Sequence, residues 1–239
     1  RGIVQQFDLE IRGHTRITRL APLPEGGFEL TAQRVAPAPG GPGEEMAAPS
    51  RPMDEAPVIW RARRVVLITG DMARPRRLNI PGENLPHVSH YFREPHDHFR
   101  RRLLIVGGKN SAVEAAIRCH RAGAEVTISH RREAFNPKSV KYWLLPEIEG
   151  FIRNGHIRYL PLTVPEEITA TDVALRHTPD GSRLRVPADD VLLLVGYEAD
   201  VSLFRMAGVT LEGENGGPRH DPATMETEVP GLYVAGTAE

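Results

Sequence analysis

At 239 residues, 40% of them hydrophobic and 26% charged, the chain is long enough to bury a core as one large domain or two modest ones. Collagen, coiled coil and wholesale disorder are excluded. Lys and Arg number 30 against 31 Asp and Glu, a formal net charge of -1, so no global field draws it to nucleic acid or to an anionic membrane. The single cysteine, Cys119, excludes an intramolecular disulfide, a CxxC pair and a cysteine-based zinc cluster. No apolar run approaches the ~20 residues needed to span a bilayer, and no signal segment opens the chain. The expectation is a soluble, cytoplasmic protein without nucleic-acid or membrane partners. The chain starts at Arg1 and its last residues, Val234 to Glu239, read as a strand running onward. It is expected to be a piece of a longer protein.

Asp8 to Arg19 and Gly27 to Val35 partly alternate apolar and polar residues around Pro22, Pro24, Gly26 and Gly27, which predicts a hairpin. Residues 36–57 hold six prolines and three glycines in 22 positions, a composition expected to stay disordered as a mobile loop. The apolar run RVVLIT, Arg64 to Thr69, predicts a buried strand ending at Gly70, and a proline-rich connection follows it.

The middle of the chain carries the clearest pattern. Arg102 to Val106 predicts a strand, Gly107 and Gly108 break it, and Asn110 to Ala122 places Val113, Ala116 and Ile117 on one helical face. Ser111 and Glu114 have capping-box spacing, and Gly123 stands where a left-handed cap would close the helix. Ala124 to Ser129 then alternates as a second strand. Such a strand, helix, strand unit makes a right-handed crossover in nearly all sheets. A weaker helix is expected over Trp143 to Asn154, then strands near Ile157 to Leu160, Val173 to His177 and Val191 to Val195. LITG and LYVAG recur at opposite ends of the chain.

VGGKNSA has the parts a dinucleotide loop needs: a glycine for the tight turn, small residues for close approach, and a helix N-terminus aimed at the pyrophosphate. Gly107 takes the first glycine position and Ala112 the third, while Lys109 stands at the second, where a lysine can neutralise phosphate. Gly108, Asn110 and Ser111 complete the loop. At the end of the second strand an NAD site places Asp or Glu, whereas this chain has His130, Arg131 and Arg132. A guanidinium pair grips a 2′-phosphate bidentately, so NADPH is expected over NADH. Lys138 and Lys141 extend the patch.

Other candidates weigh less. Cys119 lies off the apolar stripe of its helix and is expected to be an inert small residue. His87, His90, His96 and His98 match no zinc spacing, Glu114 is accounted for by capping, and Trp143 is expected to pack rather than to serve as a stacking platform.

These residues resemble the two-dinucleotide-fold flavoprotein reductases related to thioredoxin reductase. VVLITG with IPGENLP, VGGKNSAVEAA, LLLVGYEADVSLF and GLYVAG are each similar to segments of that family. HVSHYFREPH and HRREAFNPKSVKYWLLPEIEGFI are similar to its YpdA-like bacillithiol-disulfide reductases. The resemblance implies an α/β, Rossmann-like (three-layer, FAD/NAD(P)-binding) NADPH domain over 99–221, inserted in an incomplete FAD domain formed by 1–98 and 222–239. Hinges would lie near Glu94 to Arg100 and His220 to Thr224.

By the same resemblance, Thr69, Gly70 and Gly236 belong to the FAD site, and Gly196 and Tyr197 approach the nicotinamide cofactor. Electrons would pass from NADPH through FAD to a low-molecular-weight disulfide, bacillithiol disulfide, in a homo-oligomer. The family's first GxGxxG and the subfamily's redox cysteine would fall ahead of Arg1, so this chain is expected to lack both. Thr237 stands where thioredoxin reductases carry Asp. A flavin monooxygenase and a non-catalytic NADP-binding module are the alternative readings; the monooxygenase signature FxGxxxH is not found between Pro81 and Leu103.

Overall fold

The computed structural model describes residues 6–36, 52–213 and 216–238. In chain order it begins with β1 (Thr15–Pro22), β2 (Phe28–Arg34), β3 (Val58–Ala62), β4 (Val65–Leu67), β5 (Arg74–Pro75) and β6 (Val88–Ser89). A 3-10 turn, Pro95–His98, leads to β7 (Arg102–Val106), α1 (Asn110–Arg121), β8 (Glu125–His130), α2 (Leu145–Arg153) and β9 (Arg158–Pro161). Then come β10 (Thr163–Ile168), β11 (Asp172–His177), β12 (Arg183–Pro187), β13 (Asp190–Leu193) and β14 (Tyr197–Glu198). The chain closes with α3 (Ser202–Met206), β15 (Leu211–Glu212), β16 (Gly217–Pro218) and β17 (Leu232–Val234).

These elements form two compact units, one from Arg1–Arg74 with Glu198–Glu239 and one from Pro75–Tyr197. Both boundaries fall 24 residues before the expected 99 and 221 (99 against 75, 221 against 197). The reason lies in the packing. β6 pairs with β13 inside the second unit's sheet, and Leu78, Ile80 and Leu85 pack into that unit's core. Glu83, buried, ties the same segment together by accepting from Leu78 N at 2.9 Å and Asn79 N at 2.7 Å. Beyond residue 197, Phe204, Ala207 and Val209 join the core of the first unit.

The second unit is built on a five-stranded sheet in the order β6-β13-β7-β8-β9, with every pairing parallel. Parallel strands buried on both faces read as continuous apolar runs; Leu103, Leu104, Ile105 and Val106 of β7 are all buried. One face packs on α1 and α2 through Val113, Ala116, Ile117 and Ile148. The other packs on the antiparallel sheet β10-β11-β12 through Val173, Leu175 and Val186. The result has three layers. β10 and β12 were not expected from the sequence. Pro165 in β10 sits where the register with β11 shifts, a bulge that accommodates a residue without N–H.

The helix α1 is apolar on its inner side as expected, and Gly123 closes it with φ +94°. Its start differs from the capping-box expectation. The N-cap is Lys109, with no side-chain cap bond, and Glu114 instead lies 3.8 Å from Arg118 one turn on. Cys119 is fully buried among the α1 packing residues. Trp143 departs from its expected packing role, because α2 starts only at Leu145 and the indole is 54% exposed.

In the first unit β1 and β2 pair antiparallel, with β3 added on the other edge of β2. The hairpin was expected, but its first strand begins at Thr15 rather than Asp8. Leu20 and Phe28 point into a core completed by Val65, Leu67, Leu232 and Val234. β4 and β17 pair in parallel, Val65 with Leu232 and Leu67 with Val234. LITG and LYVAG are therefore neighbours. Most of the loop expected over 36–57 lies outside the described residues; of its remainder, Pro52 bridges to Val35.

Candidate functional site

In the second unit the carboxyl ends of β7, β8 and β13 open onto a cleft of about 330 Å³. In open parallel sheets ligands bind outside the carboxyl ends of the strands. Gly107, Gly108, Lys109, Ser111, His130, Arg131, Arg132, Gly196 and Tyr197 all line it. The sequence reading had singled out each of them.

The two loop glycines are required by different neighbours. Gly107 has φ +150°, and a Cβ there would sit 2.5 Å from the Leu194 carbonyl oxygen and 2.9 Å from the Ala112 Cβ. Strand and helix can approach this closely only without a side chain at 107 and with a small one at Ala112, which is buried. Gly108 faces the imidazole of His130, which a Cβ at 108 would overlap. His130 thus covers the loop. Its ring stacks on Phe135 at 5.5 Å and 15°.

The His130 ring is oriented by a short relay. Tyr159 Oη donates to the Glu133 carbonyl at 3.2 Å and lies 2.9 Å from His130 Nδ1. Because the phenol proton is spent on Glu133, Nδ1–H of His130 is the donor to Tyr159, which leaves Nε2 as an acceptor. Burial, then Arg132 and Arg131, hold the His130 pKa below its ordinary value, so the ring is neutral at neutral pH. Burial also pushes the Tyr159 hydroxyl up to about 12. Sequence reasoning missed Tyr159 and Phe135, since nothing local marks them.

Three cations stand at this cleft. Lys109, Arg131 and Arg132 are exposed, and none has an ion-pair partner among the described residues. Leu162 N donates to the Arg132 carbonyl at 3.2 Å, fixing the backbone from which one guanidinium springs. Across the cleft, Arg76 holds the turn at 196–197, donating from N to the Gly196 carbonyl at 3.0 Å and from Nε to the Tyr197 carbonyl at 3.1 Å. Tyr197 in turn donates to the His90 carbonyl at 3.2 Å.

Asn110 and Lys141 have different positions. Asn110 N donates to the Ser139 carbonyl at 3.2 Å and its Oδ1 accepts from Lys141 N at 2.7 Å. Asn110 therefore pins the 136–141 segment to the first turn of α1. That segment contributes Asn136 and Ser139 to the cleft wall. The Lys141 ammonium lies over Trp143, 5.5 Å from the ring centre.

Thr69, Gly70 and Gly236 belong to the first unit, at the carboxyl ends of the paired strands β4 and β17. Ala235 N donates to the Leu67 carbonyl at 3.1 Å. Gly70 and Gly236 have φ of +68° and +75°, and a Cβ on Gly70 would meet Thr237 Oγ1 at 3.7 Å. The clustered histidines take separate partners: His96 lies 2.7 Å from Glu94, His98 2.9 Å from Asp190 and His90 2.9 Å from Arg77. No group of three metal-ligating side chains occurs among the described residues, and no helix among them is long and apolar enough to cross a membrane.

Residues 57–236 match the family model described as pyridine nucleotide-disulphide oxidoreductase. Bacilliredoxin reductase Bdr of Bacillus subtilis is 37% identical over 171 residues, which cover 72% of this chain and 52% of that protein. A ferredoxin–NADP reductase of Ignicoccus hospitalis is 28% identical over 183 residues, 74% of this chain and 56% of its own. The chain thus spans little more than half the length of these relatives. Among solved structures, the bacillithiol disulfide reductase Bdr (YpdA) from Bacillus cereus superposes on the whole chain and on 67% of its own, with a TM-score of 0.84 and 31% identity. The three-layer α/β architecture agrees with these matches: this chain is a Bdr-like member of the pyridine nucleotide-disulphide oxidoreductase family.

Proposed function

We propose that the second unit binds NADPH and that the protein is a flavin-dependent reductase of a low-molecular-weight thiol disulfide. The observation that carries the cofactor reading is the trio of unpaired cations, Lys109, Arg131 and Arg132, around a cleft at the N-terminus of α1. The residues present fit a dinucleotide phosphate. The uncapped first turn of α1 offers N–H groups and a favourable dipole to a phosphate, and two guanidinium forks at the end of β8 match a 2′-phosphate.

In this reading the roles divide by position. Lys109 neutralises the pyrophosphate, Arg131 and Arg132 select the 2′-phosphate, and neutral His130 presents an acceptor to a ribose hydroxyl. Gly196 and Tyr197, braced by Arg76, form the wall facing the nicotinamide half. NADPH supplies the hydride, and the protein's part is to orient it.

The flavin reading rests on family membership. Among the described residues the first unit contributes Thr69, Gly70 and Gly236 at two strand ends but no glycine-loop cradle, so no step is assigned to them. Cys119 is excluded as a redox thiol: it is fully buried, and burial pushes its pKa up to about 12, which removes the thiolate that disulfide exchange needs. The substrate class is supported by the Bdr relatives, whose names specify bacilliredoxin and bacillithiol disulfide.

The cofactor test compares 2′,5′-ADP with 5′-AMP by calorimetry. A 2′-phosphate held by charge-assisted bonds is expected to tighten binding by about 10-fold or more, and Arg131→Ala with Arg132→Ala to abolish the difference. Equal affinity for the two nucleotides would sink NADPH specificity. For the substrate, the full-length protein should oxidise NADPH faster on addition of bacillithiol disulfide, and no stimulation would remove that part of the reading.

A further inference from the structure

The imidazole of His130 is held from three sides. Phe135 stacks on it at 5.5 Å and 15°, the Gly108 backbone lies against its Nε2 edge, and Tyr159 Oη is 2.9 Å from Nδ1. Tyr159 is itself fixed, packing 5.0 Å from Phe135 and donating to the Glu133 carbonyl at 3.2 Å. His130 is only 7% exposed. Of its two nitrogens, Nε2 has no hydrogen-bond partner among the described residues, and it is not sealed off from the cleft that His130 lines.

A hydroxyl and a phosphate make opposite demands on Nε2. Tyr159 commits its proton to the Glu133 carbonyl and so receives Nδ1–H, which leaves Nε2 with a lone pair. Such a nitrogen accepts from a ribose hydroxyl and repels a phosphate oxygen, which brings only acceptors. Burial, then Arg132 and Arg131, hold the ring neutral, so the tautomer rather than a charge sets its character. His130 directly precedes Arg131 and Arg132 at the end of β8, and all three line the cleft together with Lys109. On a ribose whose 2′-phosphate the arginines take, the neighbouring group is the 3′-hydroxyl.

We infer that Tyr159 is a positioning residue acting through His130: by fixing the Nδ1–H tautomer it makes the site accept a 3′-hydroxyl and refuse a 3′-phosphate. This rests on the NADPH reading and deepens it, naming the group that confines the phosphate to the 2′ position. The arginines alone do not draw that distinction, because a guanidinium fork donates to phosphate oxygens at either position. Without Tyr159 Oη, Nδ1–H is a buried donor with no acceptor, which is costly. The proton then moves to Nε2, and the same edge of the ring becomes a donor.

The test compares 2′,5′-ADP with 3′,5′-ADP by calorimetry above pH ~7.5, where His130 is neutral, in the unmodified protein and in Tyr159→Phe, which keeps a ring against Phe135. The unmodified protein is expected to favour 2′,5′-ADP, and Tyr159→Phe to lower that preference by about 10-fold, chiefly by gaining affinity for 3′,5′-ADP. Nitrogen-15 spectra supply a signature that a packing role does not move: Nδ1 of His130 protonated in the unmodified protein, Nε2 protonated in Tyr159→Phe. Should Tyr159→Phe not fold, the two measurements on the unmodified protein decide the matter. Nε2 protonated in the unmodified protein, equal affinity for the two isomers, or an unchanged preference in folded Tyr159→Phe each overturns the proposal while leaving the NADPH reading intact. Failure of the unmodified protein to bind 2′,5′-ADP overturns both.

Discussion

The two units solve the burial problem differently. In the second, five parallel strands are covered on one face by helices and on the other by an antiparallel sheet, and the largest side chains of β7 are almost wholly buried. In the first, a three-stranded meander and the two-stranded β4–β17 pair share one small core, while Val58, Ile59, Val66 and Ile68 stay at least half exposed. The second unit comes from one continuous stretch of chain. The first is assembled from two stretches separated by the whole of the second, and β17 pairs with β4 across that separation. Three closed layers let the strand ends of the second unit frame a cleft, whereas the strand ends of the first unit stand beside exposed apolar side chains.

The largest expected effect is kinetic. Cys119 is fully buried and burial pushes its thiol pKa up, so in the native protein it should react with a disulfide reagent at pH 8 far more slowly than a free cysteine, and at the ordinary rate in denaturant. Fast native reaction would show that the second unit opens readily and erase its contrast with the first. Next comes Gly107→Ala, which adds a Cβ against the Leu194 carbonyl at a backbone angle that side chains rarely adopt. A loss of about 3 kcal/mol or more in urea unfolding is expected from strain plus overpacking, along with loss of 2′,5′-ADP binding.

Leu104→Ala removes a fully buried side chain and should cost about 2–5 kcal/mol. Ile68→Ser, at a residue 68% exposed in the first unit, should stay within about 0.5 kcal/mol; equal costs for the two would mean that the first unit's face is covered in solution. The smallest effect is the response to acid. His130 and His90 titrate below their ordinary value, chiefly through burial. The unfolded chain therefore binds more protons just below pH ~6.5, and stability should decline as pH falls from there toward the depressed native values. A mild downward slope in denaturation midpoint below pH ~6.5, flattened in His130→Gln, is the expected result, and a rise would reverse the assignment of His130 as neutral.

Much of this was readable before folding was considered. The strand, loop and helix from Arg102 to Gly123 are marked by an apolar run, paired glycines and a 3.6-residue stripe, all local signals. The strand-end arginines are readable for the same reason, since their meaning depends only on a position after β8. Three features were not. Glu114 had the right spacing for a cap, yet Lys109 ended in the N-cap place without a side-chain bond, because spacing alone does not aim a carboxylate at a backbone N–H. Asn110 looked like part of the phosphate loop, but its amide and side chain are taken by residues near 140. The domain limits were placed 24 residues late because pairing of β6 with β13 leaves no trace in composition.

The same division holds for the site as a whole. Sequence alone determined the class of the second unit and the charge of its cleft, because hydrophobic period and residue type at consecutive positions suffice for both. Tertiary structure decided why Gly108 must be glycine, through an imidazole 22 positions away along the chain. It decided which nitrogen of His130 is free, through Tyr159 and Glu133. It also placed LITG beside LYVAG and left Trp143 open where packing was expected. Each of these depends on contacts between residues distant in sequence, where the cost of a clash, an unsatisfied donor or an exposed ring is set by neighbours that no local pattern names.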